Sequence, residues 1–484
     1  MPLTMFGTDG VRGVPGTYPL DPGTVARIGA ATAHVLAREH PRLLVGRDTR
    51  VSGPAIEAQL AQGVAAAGGT LVSVGVLPTP AVALLTSTER FDAGIVVSAS
   101  HSHSTPFCEP LERPHPFFDL IVRQSVAAAQ TAVQAQQSAL FGHATVHVVG
   151  ASFNTRVPMP DGGVKFSRDY REGLASGRPI DPRLTVVRID DDQRCPIAGW
   201  IAFAAHPACV IFDTPISAEY PGYLTDRLTA QVDGNPPFLF GLGACGDVNC
   251  IPMFGTESDS QRLGHQLADF AAPVFAAIET KRPDRFLTAS ATFQLPLEAP
   301  PSPAALERDI DEVEKFMAAL DHNPKLVWVL GINCAEHWPI EKKRSHVRPL
   351  LEWAQLMQAA LADGRVFPRT WSSVNTVWII NELGLAFNDG EPLVELGLAL
   401  AAHSPLSQTL LINQCNGRNS YLPGDGEIRR GGYEARTVVC YAKLAEGVRP
   451  LPYALGAADV LVDGLQELIT TMTQAAENAK DGSE

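Results

Sequence analysis

Gly94-Ile95-Val96-Val97-Ser98-Ala99-Ser100-His101-Ser102-His103 is the stretch on which the reading of this chain turns. On its N-terminal side, short apolar runs (Arg42 to Val45, Thr70 to Val76, Ala93 to Ser98) alternate with segments of helical periodicity, Asp21 to Glu39 and Gly53 to Ala67. That alternation predicts a βαβ rhythm and hence a parallel sheet covered by helices. On its C-terminal side the style changes. Phe117 to Leu140 predicts a long Ala/Gln-rich helix, and longer strands follow at Ala144 to Phe153, Leu184 to Asp190, Gly199 to Ala205 and Leu287 to Pro296. Further helices are expected at Ser260 to Glu279, Pro303 to Leu320, Pro349 to Ala362 and Ala457 to Asn478. The fold class is α/β, with an N-terminal parallel βαβ segment over residues 1–100 and a mixed-sheet α/β domain over residues 101–484.

Composition agrees with a soluble globular chain. Of 484 residues, 45% are hydrophobic and 19% charged, which excludes disorder, collagen and coiled coil. The formal net charge of −14 argues against general affinity for nucleic acid or an anionic membrane surface. The eight cysteines are scattered with no CxxC pair, as expected for reduced, mostly buried thiols in a cytoplasmic protein. MPLTMFGTDGVRG lacks the pattern of a signal peptide, and the most apolar stretch, Ile197 to Phe212, is broken by His206 and Pro207, so no transmembrane segment is expected.

Two groups of residues carry chemistry. Near the start, Phe6 to Gly13 (FGTDGVRG) and Val45 to Gly53 (VGRDTRVSG) pack glycines and arginines into loops. Glycine lets backbone amides approach an anion and arginine supplies a bidentate donor, so these loops suit a phosphate; turn glycines with surface arginines are an equal alternative. Further on, His101-Ser102-His103 on an extended strand would aim both imidazoles at one face, as a metal pair or as a satisfied one. His206 ends an apolar strand before a proline, where a polar group is delivered to a site edge, although a structural histidine has the same pattern. Glu391 follows Asn388-Asp389-Gly390 after the apolar run Trp378 to Phe387, and Tyr421 and Tyr433 sit in glycine-rich loops after the strand Thr409 to Asn413.

Three decoys are set aside. Gly241 to Gly246 fits GxGxxG but no helix is expected after it, as a dinucleotide site requires. Asp190-Asp191-Asp192-Gln193-Arg194 lacks a third alternating carboxylate and reads as a polar hairpin turn. Cys245, Cys250 and His265 do not have a common zinc spacing.

The N-terminal loops, together with Gly75 to Val82 (GVLPTPAV) and Ser98 to His101 (SASH), resemble the first domain of bacterial phosphoglucosamine mutase over residues 4–101. The resemblance implies that Ser100 carries a transferred phosphoryl group and that Arg12 lies in the phosphate-binding region, with Mg2+ as the metal. The metal loop, sugar loop and distal phosphate clamp of a mutase have no counterpart in this sequence, and phosphoryl transfer needs charge neutralisation from several sides.

From residue 97 to 470, SASHSHSTP, FAAHPA, ISAEYPGY, GACGDVN, NDGEPLVELG and NGRNSYLPGDGEIRRGGYEA resemble, in order and spacing, the neutral/alkaline ceramidase superfamily of zinc amidases. That resemblance implies a hydrolytic domain in which Zn2+ is held by His101, His206, Glu391 and Tyr421. It implies that His103 and Tyr433 contact the scissile amide and that Arg156 contacts the substrate. One departure is Asn249, where ceramidases commonly carry serine. The resulting expectation is a fusion whose body is a zinc-dependent hydrolase of N-acyl amide bonds, taking a small-molecule amide or lipid-like substrate and no nucleic acid. The alternative is a phosphoglucosamine mutase-like phosphohexomutase or its inactive sugar-phosphate-binding remnant.

Overall fold

The computed structural model describes residues 21–35, 42–47, 53–76, 100–103, part of 124–132, and 134–481 apart from 211–215, 418, 443 and 445–447. The chain divides into two compact units, one of Met1–Val96, Pro106–Gln137 and Thr288–Ala291, the other of Val97–Thr105, Ser138–Leu287 and Thr292–Glu484.

In the N-terminal unit, helix Pro22–Val35, strand Arg42–Arg47, helix Gly53–Ala66 and strand Thr70–Val76 follow one another, and the two strands pair in parallel with Arg42 opposite Thr70. This is the expected βαβ arrangement. The helices pack with backbones almost touching: a Cβ at Gly63 would lie 1.7 Å from the Ala26 carbonyl oxygen, so only glycine fits there. Arg12 and the apolar run Ala93 to Ser98 lie outside the described residues, apart from the chain that resumes at Ser100.

The larger unit is built on two four-stranded sheets. The first has the order Leu140–His147, Arg183–Asp190, Pro196–Phe203, Phe238–Leu242, antiparallel except for its last pair. Its core includes Leu184, Ile201, Phe203, Leu224, Leu228, Leu242, Leu267 and Phe275, shared with helices Glu219–Gln231 and Glu257–Ala277. The second has the order Phe286–Pro296, Thr370–Ile380, Leu383–Asn388, Gln408–Ile412, again with a parallel last pair. Helices Pro303–Ala319, Ile340–Ala362, Val394–His403 and Ala457–Asp481 contribute to its core. The sheets meet where the parallel pairs end: Asn413 N–H donates to the Leu242 carbonyl at 2.8 Å, and Gly243 bridges Ile412. Loops at the carboxyl ends of parallel strands are where an α/β fold places ligands, and His206, Cys245 and Glu391 all lie just past such ends.

Several sequence expectations are corrected. The helix expected over Phe117 to Leu140 does not reach its end, because Leu140 already starts a strand whose Leu140, Phe141 and Gly142 are buried. The strand expected from Ala144 to Phe153 breaks after His147, where Gly150 takes φ +81°, and resumes as Ser152–Asn154 against Val248–Cys250. Proline is favoured in a first helical turn, yet Pro349 lies inside Ile340–Ala362, a helix anchored by buried Val347, Leu350, Trp353 and Met357. The apolar run Trp378 to Phe387 is a hairpin that turns at Asn381, φ +54°. The Asp190 to Arg194 segment is a hairpin turn, and the strand Phe238–Leu242 is followed by a further short strand rather than a helix. The seven described cysteines form no disulfide, and all but Cys195 are buried. Among the described residues, no helix is long and apolar enough to cross a membrane.

Candidate metal centre

His206 is placed by an apolar strand that has nowhere else to go. Phe203, Ala204 and Ala205 are buried, and at the strand end His206 N–H donates to Val248 O at 2.9 Å. Its Nδ1 lies 2.8 Å from the Cys245 carbonyl oxygen. A carbonyl only accepts, so Nδ1 carries the hydrogen, and Nε2 is the nitrogen that a neutral ring would present to a metal.

Glu391 and Tyr421 are placed together. Residues Glu391–Pro392 and Tyr421–Leu422 form a short parallel ladder, with Glu391 N–H donating to Ser420 O at 2.8 Å and Leu393 N–H to Leu422 O at 3.0 Å. Behind them a Cβ at Gly246 would sit 2.6 Å from the Glu391 carbonyl, so glycine is what lets the GDVN turn close against this ladder. Asp247 clamps the turn, accepting from Asn154 Nδ2 at 2.6 Å and Val394 N–H at 2.8 Å.

His101 and His103 are not on a strand. His101 takes φ +62°, a left-handed conformation that costs a non-glycine residue free energy and collects at functional sites. The loop is tied down by Ser102 Oγ donating to Ser217 O at 2.8 Å and by His103 N–H reaching Pro207 O. Both imidazoles still reach the same place: ring centroids lie 5.0 Å apart for His101–His103, 4.7 Å for His101–His206 and 5.7 Å for His103–His206.

The cluster is defined by what its atoms lack. His101 Nε2 lies 3.2 Å and His206 Nε2 3.6 Å from Glu391 Oε2, yet these three buried atoms have no hydrogen-bond partner. Unpartnered buried polar atoms are rare and demand an explanation. One donor atom from each of His101, His103 and His206 lies within 4.8 Å of the others. Burial would raise the Glu391 carboxyl, but the two histidines overcome it and hold it well below the ordinary range. Desolvation of the ring, then the neighbouring imidazoles, lower His103 to about 3, although the residue as a whole is exposed. The Tyr421 ring lies 6.2 Å from His206 and 5.7 Å from Tyr433, and burial raises the Tyr421 phenol well above its usual value.

The structure thus gathers His101, His103, His206, Glu391, Tyr421 and Tyr433. It does not bring Arg156 into that space. The Arg156 side chain is fully buried, with Nε donating to Glu427 at 2.6 Å, Nη1 to Glu434 and Nη2 to Gly431 O at 2.7 Å. Its donors are spent on the loop that carries Tyr433. Ser100 is half-buried next to His101, and Arg12 lies outside the described residues.

The sequence assigns no role to two further charged residues, although Glu219 lies within the ISAEYPGY motif. Glu219, fully buried at φ +53°, accepts the Cys209 and Val210 N–H groups through Oε2, while Oε1 has no partner and burial pushes its carboxyl up to about 8. Buried Arg449 donates to the Tyr421 carbonyl at 3.3 Å while stacking on Tyr453 at 3.9 Å. Beyond that motif, the sequence signal for either is a charged residue in an apolar context.

Comparison with known proteins finds two separate likenesses. Residues 3–106 match the family model for phosphoglucomutase/phosphomannomutase, alpha/beta/alpha domain I. A phosphoglucosamine mutase of Syntrophobacter fumaroxidans is 48% identical over 101 residues, an alignment covering 20% of this chain and 22% of that relative. The chain therefore spans only about a fifth of the length of the curated relative it matches. Among solved structures, a ceramidase complexed with C2 superposes with a TM-score of 0.50 at 15% identity, over 83% of this chain and 65% of that one. A neutral ceramidase from Pseudomonas aeruginosa gives a TM-score of 0.49 at 16% identity, over 82% and 64%. The first of these two is a likeness of fold.

Proposed function

We propose that this chain joins a phosphohexomutase-type N-terminal segment to a zinc-dependent hydrolase of the neutral/alkaline ceramidase type, which cleaves an N-acyl amide bond. The observation that carries the reading is the convergence of three unpartnered buried atoms, His101 Nε2, His206 Nε2 and Glu391 Oε2. Imidazole nitrogens with a carboxylate oxygen are a donor set that suits zinc, and the Cys245 carbonyl fixes the His206 tautomer that binding requires. His101, His206, Glu391 and Tyr421 would hold the ion.

Bound there, zinc supplies a Lewis acid for the amide carbonyl and lowers the pKa of water toward neutrality. The chain's own residues do the rest. His103, whose donor atom lies within 4.8 Å of those of His101 and His206, would take a proton as the water oxygen bonds to the carbonyl carbon. It then returns that proton to the nitrogen as the C–N bond breaks. Tyr433 Oη donates a hydrogen bond to the carbonyl oxygen as charge develops on it. Arg156, through Glu434, holds the Tyr433 loop in place.

Elemental analysis of the purified chain tests this. One zinc per chain is expected, lost in His206→Ala, together with chelator-sensitive release of a fluorescent amine from an N-acyl amide. Absence of stoichiometric zinc, or zinc unchanged in His206→Ala, overturns it.

The family match over residues 3–106 favours a second reading for the N-terminal segment, a phosphoglucosamine mutase-like phosphohexomutase or a sugar-phosphate-binding remnant, with Ser100 as phosphoryl carrier, Arg12 beside the phosphate and Mg2+ as its ion. Intact-mass measurement after incubation with a sugar bisphosphate checks it. A phosphoryl group present in the wild type and absent in Ser100→Ala supports it, and an unmodified wild type sinks it.

A further inference from the structure

Aromatic rings lead away from the candidate metal centre toward an arginine for which the described residues provide no acidic partner. The Tyr433 ring contacts Phe166 edge-on at 6.4 Å and Tyr441 at 5.7 Å. Tyr441 stacks near His346 at 6.0 Å, and His346 meets Trp338 at 5.2 Å. The two branches close on Arg168, whose guanidinium carbon lies 5.1 Å from the centre of Phe166 and 4.8 Å from that of Trp338. Phe166, Arg168, Trp338, His346, Tyr433 and Tyr441 are all half-buried, so the track is neither core nor open surface.

Arg168, like buried Arg449, has no carboxylate partner among the described residues, and of the two it is the half-buried one. Arg156, Arg178, Arg183 and Arg188 each pair with a carboxylate at 2.8 Å or closer. Among the described residues no carboxylate forms an ion pair with Arg168. Its two terminal nitrogens share one carbonyl, that of Asn333, at 3.3 Å each, and its buried Nε has no partner at all. A guanidinium offers five donors in a planar fork matched to a carboxylate or phosphate, and removing it from water without a counter-ion is costly. The Phe166 backbone beneath it is pinned by a reciprocal pair of hydrogen bonds with the Asn333 side chain, at 3.0 and 2.9 Å, so the fork is held on a fixed edge. Lys342, 5.0 Å over Trp338, adds a second positive charge on the same ring.

We propose that Arg168, sandwiched between Phe166 and Trp338, is a specificity determinant that binds a negatively charged group of an amide substrate whose apolar portion lies along Tyr433, Tyr441 and Trp338. The inference rests on the amidase reading for the reaction, but its content is a charge preference in binding. It narrows the substrate class from amides at large to acidic ones, such as an acyl chain joined to a carboxylate-bearing amine.

The test separates binding from turnover. N-decanoylglycine and its neutral counterpart N-decanoylglycinamide are titrated by calorimetry into the full-length wild type, Arg168→Gln and Arg168→Lys, and hydrolysis of both is followed separately. Wild type should bind the anion at least about tenfold more tightly than the amide, the effect of one charge-assisted hydrogen bond. Arg168→Gln should erase that preference by weakening the anion much more than the neutral compound, and Arg168→Lys should retain part of it. Circular dichroism and the urea midpoint of each variant establish that it is folded. The proposal is overturned if wild type has no preference, if the preference survives Arg168→Gln, or if Arg168→Gln weakens both ligands equally, as a purely structural cation would. Charge-selective binding without hydrolysis removes the amidase reading and keeps this one; hydrolysis without charge selectivity does the reverse.

Discussion

Glu391 stands directly opposite Tyr421 in a two-residue parallel ladder, so one backbone pairing delivers a carboxylate and a phenol to the same side of the histidine cluster. Local chain geometry, not side-chain flexibility, sets their separation. Replacing Glu391 by Gln keeps the ladder and removes the negative charge facing His101 and His206. Losing a partner outside the ligand set typically weakens metal binding by about 10–100-fold, and losing a ligand should exceed that. Competition of the variant against a zinc-sensitive dye is the measurement, and an affinity within a factor of a few of wild type would remove Glu391 from the ligand set.

His103 separates two roles that geometry alone admits, because its donor atom belongs to the same close group as those of His101 and His206. As a proton carrier it can be lost without losing the metal. His103→Gln is expected to retain one zinc per chain while kcat for amide hydrolysis falls by about 10²–10⁴-fold, the usual worth of a general acid–base group. Loss of zinc in this variant would make His103 a ligand instead.

Much of this arrangement was legible because strand ends announce themselves. The apolar run into His206 reads as a buried strand with a polar group at its end, and the run Trp378 to Phe387 as an apolar stretch with Glu391 following; the fold keeps both strand-end positions, although the second run is a hairpin whose outgoing strand is Leu383–Asn388. The His101-Ser102-His103 triplet was legible as a pair but not as a geometry: alternation implies a strand, whereas Ser217 and Pro207 hold the segment as a loop with His101 left-handed. Arg156 shows the opposite limit. An arginine near a site suggests a substrate contact, and only the fold shows that Glu427 and Glu434, more than 270 residues away in sequence, have already taken its donors.

That burial makes Arg156 a stability determinant. Arg156→Met would leave Glu427 and Glu434 without their shared cation, and Glu427 would keep only Arg178 and Arg430. Breaking a buried pair by removing one partner costs about 3–5 kcal/mol. A marked drop in the urea midpoint is therefore expected, with hydrolysis failing through kcat as the Tyr433 loop loosens. A variant as stable as wild type but raised only in KM would restore Arg156 as a substrate contact.

The N-terminal helix pair can be perturbed separately. Gly63→Ala places a methyl carbon 1.7 Å from the Ala26 carbonyl oxygen, a clash with backbone that no rotamer relieves. Overpacking of this kind typically costs about 1–3 kcal/mol. Scanning calorimetry should show the transition of the N-terminal unit falling by several degrees, with the zinc content of the chain unchanged. Loss of zinc in Gly63→Ala would mean that the centre depends on this helix pair.

His346 sets a pH dependence of stability whose sign follows from its surroundings. Burial first, then the charges of Arg168 and Lys342, pull its imidazole down to about 4 from an ordinary 6.5. The folded chain therefore binds this proton less readily than the unfolded one. The contribution is fully present above pH 6.5 and is lost as the pH falls through the window down to about 4, by at most ~3 kcal/mol. Urea midpoints of wild type and His346→Gln, compared across that window, should converge as the pH drops, because only wild type carries the penalty. Arg168→Gln removes the second cause and should narrow the window from its lower end. A wild-type minus His346→Gln difference that stays flat between pH 6.5 and 4 would show that the imidazole is not held neutral by this aromatic and cationic shell.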